Sequence, residues 1–155
     1  MATAGAAAAL AGLLFVAVSI NLEAILRYPG LPERALETLL LLLGVVVVSI
    51  FGLAPQSGRT AFGVELVVVG LVLVAAIARL VTKSVRLALA SPKMPRMYLP
   101  GRIILVVPGT APYVVGGASL LAEAGGGLYW VLAGFVGAVI GAVINAWVLL
   151  VEIQR

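Results

Sequence analysis

The chain contains no cysteine, no histidine and no aspartate. Without cysteine there are no disulfides and no thiol chemistry. Zinc sites built on Cys or His are excluded. So are Ser-His and Cys-His nucleophile pairs, paired-aspartate dyads and His-ligated haem. Intramembrane proteases of the serine, aspartyl and metallo types each need one of the missing residues. Proton chemistry is left to six Glu, four Tyr, Lys and Arg. The chain therefore reads as non-enzymatic, with no catalytic group, cofactor or metal site.

Charge is the second shortage. Charged residues make up 10% of the 155, and 63% are apolar. Soluble domains carry about 25% charged and about 45–50% apolar residues. A soluble fold of this size would lack the polar surface to cover itself, whereas lipid covers a polytopic membrane protein. The expected fold is all-α, a single transmembrane helical domain over residues 1–155. The net charge of +4 does not indicate nucleic acid, because the basic residues are not patched with aromatics.

The uncharged runs place five membrane helices. Residues 3–22 are twenty without a charge, about 30 Å of helix and one bilayer core. They lack the basic start of a cleaved signal peptide, so the first helix reads as retained, over 3–26. A turn at Tyr28-Pro29-Gly30-Leu31-Pro32 leads to the second, over 32–53. Pro32 suits a first helical position, and Glu33 suits a first turn. After Pro55-Gln56-Ser57-Gly58, the third helix is expected over 60–82. Only thirteen uncharged residues separate Glu65 from Arg79. One of these charges must therefore sit at membrane depth or snorkel from near it. Residues 83–102 read as a basic loop broken by Pro92, Pro95 and Pro100, with a short helical continuation through Arg86–Leu89. The fourth helix, over 103–122, holds Pro108 and Pro112, which predict a kink. The fifth, over 128–152, opens with Tyr129 and Trp130 as an interfacial anchor. A four-span arrangement is the main alternative.

With five spans, nine of the ten basic residues fall on one side and Arg59 stands alone on the other. The positive-inside rule then puts the N-terminus outside, and the C-terminus and the basic loop in the cytoplasm. That loop could touch anionic lipid.

Several polar residues cluster toward this cytoplasmic face: Ser19, Asn21, Glu23, Arg27, Glu37, Arg79, Asn145 and Glu152. They are expected to form one polar layer shared by several helix ends. Glu23 and Arg27 also have the spacing of a local ion pair, and Glu33 reads as a helix-start residue. Glu65 is the candidate intramembrane carboxyl. Small residues form stripes on the first helix (Gly5, Gly12) and on the fifth (Gly134, Gly137, Gly141), which allow close helix approach. The two stripes suit each other, or copies of themselves across subunits. Packing is the commoner use of such stripes. No internal repeat suggests an inverted-repeat transporter.

The segments AGLLFVAVSINLEAIL, LPERALETLLLLLGVVVVSI, GASLLAEAGGGLYWV and NAWVLLVEIQR resemble a family of small bacterial membrane proteins, common in actinobacteria, often named "modulator of FtsH protease". Asn21, Glu23, the Pro-Glu-Arg-Ala-Leu-Glu-Thr run and Asn145-Ala-Trp carry the likeness, which is weakest over residues 79–102. Members usually begin with a short polar and aromatic preamble; this chain starts almost directly in a helix. The resemblance implies a bacterial cytoplasmic membrane and a regulatory membrane partner, an AAA+ protease. Two functions remain open from the sequence. One is an accessory or regulatory protein acting through helix contacts with itself or a partner. The other is an oligomeric ion channel or carrier lined by Ser19, Asn21, Glu23, Glu37 and Asn145, with Glu65 toward the outside.

Overall fold

Apolar runs separated by Pro/Gly turns leave the backbone one way to satisfy its polar groups in lipid, which is to coil into helices. In a computed structural model, which describes residues 1–28, 30–55, 58–89 and 98–153, the chain forms six α-helices. They are α1 (Ala2–Ile20), α2 (Leu22–Arg27), α3 (Leu31–Leu53), α4 (Arg59–Leu89), α5 (Tyr98–Leu121) and α6 (Leu128–Ile153). Five of them, all but α2, are long and apolar enough to cross a membrane. The chain is thus a multi-pass helical membrane protein with five candidate membrane spans among the described residues.

The helix ends differ from expectation at three places. The first helix, expected unbroken over 3–26, is interrupted at Asn21. There the amide side chain donates to the carbonyl of Ala17 at 2.9 Å, and α2 starts at the next residue. Asn side chains compete with helical hydrogen bonding in this way. The third helix runs on past residue 82 to Leu89, taking in the helical continuation expected over Arg86–Leu89. Its 31 residues make about 46 Å of helix, longer than a bilayer core, so one end projects past the hydrocarbon. The fourth helix starts at Tyr98 rather than 103, so Pro100 lies in its first turn, where proline is tolerated. Of the expected basic loop, Pro92, Lys93, Pro95 and Arg96 lie outside the described residues, as do Pro29, Gln56, Ser57 and Arg155.

Turn chemistry fixes the reversals. Gly30 takes a left-handed φ of 92° just before α3, and Pro32 follows inside its first turn. The α5–α6 turn has Glu123 at φ 54° and left-handed backbone at Gly125, Gly126 and Gly127. Residues without a Cβ reach that region at little cost.

α5 runs between α4 and α6, while α3 packs against α1, α4 and α6. Glycines set how closely these helices meet. A Cβ on Gly117 would come within 2.6 Å of the Gly63 carbonyl on α4. On the other side of α5, a Cβ on Gly134 would meet the Tyr113 ring at 2.6 Å. A Cβ on Gly137 would collide with the Pro108 carbonyl, and one on Gly141 with that of Leu105. The Pro108 carbonyl has lost its helical donor, because residue 112 is also proline. The Gly137 backbone covers it, and a weak Cα–H contact is available there. Leu41, Leu42, Val45, Ile77, Val106, Ala138 and Ala142 form the main buried cluster. Val48, Leu66, Leu73, Tyr113 and Val131 form a second, in which Tyr113 and Phe135 meet edge to face. Ala7 is the one buried residue that α1 contributes.

Candidate functional site

The second turn of α3 and the start of α5 each bring one charge into the interior. Glu37 and Arg102 form an ion pair whose two side chains are completely buried. Arg102 donates from Nη2 to Glu37 Oε1 and from Nε to Oε2, the latter at 3.3 Å. This two-pronged geometry is the one in which a guanidinium best replaces the water it loses. Removing one partner of such a pair leaves a bare charge in a dry interior and costs about 3–5 kcal/mol. One turn earlier on α3, buried Glu33 accepts from Lys83 of α4 at 3.0 Å. The Lys83 side chain is 66% exposed, so this second pair lies at the rim.

Other polar groups lie at the same end. Thr38 is buried, and its hydroxyl donates to the Arg34 carbonyl at 2.9 Å. On α6, Asn145 follows Gly141 by one turn, and Gly141 abuts Leu105 of α5. The antiparallel register therefore sets Asn145 level with Arg102. Asn145 is 1% exposed, and its Oδ1 has no hydrogen-bond partner among the described residues. The same is true of the Ser84 hydroxyl on α4. The result is a buried polar layer drawn from four helices, with the Glu37–Arg102 pair as its charged centre.

The expected polar layer overlaps this one only in part. Glu37 and Asn145 lie inside it. Ser19, Glu23, Arg27 and Arg79 are exposed, and Asn21 and Glu152 are half-buried. Among the described residues Glu23, Arg27, Arg79 and Glu152 make no ion pair, so Glu23 and Arg27 do not form the local one their spacing allows. The Ser19 hydroxyl donates to the Phe15 carbonyl of its own helix. Glu65 is half-buried on α4, more than a turn inside its start. The glycine stripe on α6 is filled by α5, whereas Gly5 and Gly12 on α1 have nothing within 4 Å of a Cβ built there. The two stripes do not meet. Pro108 and Pro112 lie inside a single continuous helix, α5. Among the described residues no three carboxylates come together as metal ligands.

Sequence reasoning missed Arg102, Ser84, Thr38 and the partnership of Glu33 with Lys83. One signal was available. Glu33 and Glu37 continue, at four-residue spacing, the apolar stripe Leu41, Val45 and Val48 that faces the core. Charges on the buried stripe of a membrane helix call for a basic partner from another helix.

Comparison with protein-family models, with curated proteins and with solved structures returned no match.

Proposed function

We propose that this protein is a non-enzymatic membrane accessory protein that works through helix contacts, with α1 as the contact helix. The observation that carries the reading is the open stripe on α1. Gly5 and Gly12 meet nothing, and Leu13, Phe15, Val16 and Ile20 are exposed beside them. The α6 stripe is consumed inside the chain. Helix association in lipid relies on close packing at small residues, and α1 holds such a surface in reserve. The regulatory role implied by the family resemblance fits the same surface. In this reading the charged end of the bundle faces the cytoplasm, in keeping with its basic residues.

An oligomeric channel has less support. Two of its five lining candidates, Glu37 and Asn145, are buried inside the bundle. The Glu37–Arg102 pair fills the interior where a conducting path through one chain would run.

The absence of cysteine makes the test direct. Gly12→Cys supplies the sole thiol in the chain, and Leu132→Cys places one on an exposed position of α6. Oxidative and bifunctional cross-linking in native membranes should trap a protein neighbour at Gly12→Cys and none at Leu132→Cys. Equal trapping at both positions, or none at either, would sink the reading. Purified protein in liposomes should pass no ions; flux sensitive to Glu23→Gln would favour the channel instead.

A further inference from the structure

A cleft of about 820 Å³ opens at the end of the bundle opposite the ion pair. It lies between the starts of α1, α4 and α6 and the ends of α3 and α5. Its volume falls in the range of about 300–1,000 Å³ typical of small-ligand sites. The walls are apolar, formed by Val48, Phe62, Leu120, Val131 and Phe135. Met1, Thr3, Ser119 and Tyr129 add polar groups to the lining, and Ser49 stands behind the wall formed by α3. The Ser49 hydroxyl is buried and has no hydrogen-bond partner among the described residues. Arg59 and Glu123 line the cleft from exposed positions, one of each sign. Neither belongs to an ion pair among the described residues. Arg59 is also the one basic side chain that the sequence places at this end.

We infer that this cleft is a binding site for a zwitterionic phospholipid whose headgroup ends in a primary ammonium, the phosphoethanolamine type. The two charged side chains of the lining, Arg59 and Glu123, match this occupant. Arg59 matches the phosphate, as guanidinium groups do through paired hydrogen bonds. Glu123 accepts from the ammonium and disfavours headgroups with net negative charge. An acyl chain fills the apolar walls formed by Val48, Phe62, Leu120, Val131 and Phe135. The site lies at the mouth of the bundle, where a lipid enters from the membrane without crossing it. The start of α1 lines this site through Met1 and Thr3, but the Gly12 end of its open stripe does not.

Native mass spectrometry of delipidated protein, titrated with phosphatidylethanolamine, phosphatidylcholine or phosphatidylglycerol, tests the assignment. Phosphatidylethanolamine should bind tightest. Phosphatidylcholine, whose quaternary ammonium cannot donate a hydrogen bond, should bind more weakly. Arg59→Gln should weaken phosphatidylethanolamine binding about tenfold, the weight of one charge-assisted hydrogen bond. Glu123→Gln should erase the preference over phosphatidylglycerol. Gly52→Leu, which projects into the cleft from an exposed α3 position, should abolish binding while thermal unfolding stays unchanged. Phosphatidylglycerol binding as tightly as phosphatidylethanolamine would overturn the proposal. So would lipid stoichiometry that ignores Gly52→Leu, because the lipid would then be bulk annulus.

Discussion

α1 and α6 carry similar small-residue stripes, yet the molecule uses them in opposite ways. On α6, every stripe glycine abuts α5, and two of them lie against backbone carbonyls. On α1, the glycines face open space, and Ala7 alone is fully buried, with Ala11 and Leu14 packed against the core beside it. A stripe of small residues therefore marks a helix that can be approached closely; it does not say by what. On α6 the complement is a proline-bearing helix whose carbonyls need cover. α1 has no such neighbour in the chain, and it meets the core through Ala7, Ala11 and Leu14 instead.

Substitutions can break this contrast between a committed interior and an uncommitted helix. The largest effect is expected at the charged centre of the interior. Arg102→Ala should lower unfolding stability by about 3–5 kcal/mol or prevent folding, read as thermal unfolding in detergent. Glu37→Gln combined with Arg102→Met should lose much less, because no charge is stranded. If the double substitution were as damaging as the single one, the pair would not be acting as a unit. Next comes Gly137→Ala, where the added carbon collides with the Pro108 carbonyl; overpacking of this kind costs about 1–3 kcal/mol. Gly12→Ala, at the matching position of the other stripe, should leave the monomer unharmed or slightly more stable, by up to about 1 kcal/mol from helix propensity. Equal destabilisation at Gly137 and Gly12 would erase the distinction between the helices. The smallest effect is expected at the rim. Lys83→Ala should cost under about 1 kcal/mol and fade further in high salt, because its ammonium is well exposed.

The sequence makes the spans legible because crossing a membrane is a local requirement. Twenty uncharged residues declare themselves without reference to the rest of the chain, and the α3 and α6 boundaries fall within a residue of expectation. The site is a different matter. Arg102 stands next to a proline-rich basic stretch and reads as a loop charge. It is buried because α3 offers Glu37 across 65 residues of sequence, and no local pattern carries that fact. Glu33 reads as a helix start, and it is one; its bond to Lys83 becomes visible once α4 is known to pack against α3. Glu23 and Arg27 had the right spacing for a pair but sit on a six-residue helix exposed on one side. Exposed pairs gain little from holding two flexible side chains together.

The prolines of α5 bear on how the protein is made. The membrane-crossing stretch of this helix is the least apolar of the five. Its two internal prolines strip the helical donors from the carbonyls of residues 104 and 108, and Arg102 adds a charge. Released into lipid alone, it would carry unpaired backbone and side-chain groups at the same time, each of them unfavourable there. Its remedies lie on both sides of it in the order of synthesis. α3 emerges first and holds the carboxylate in place; α6 follows and covers the bare carbonyl of Pro108. α5 is therefore a span that settles only in company. A nascent chain halted after Leu121 should leave it accessible from water, and completing α6 should draw the two into the bilayer as one hairpin.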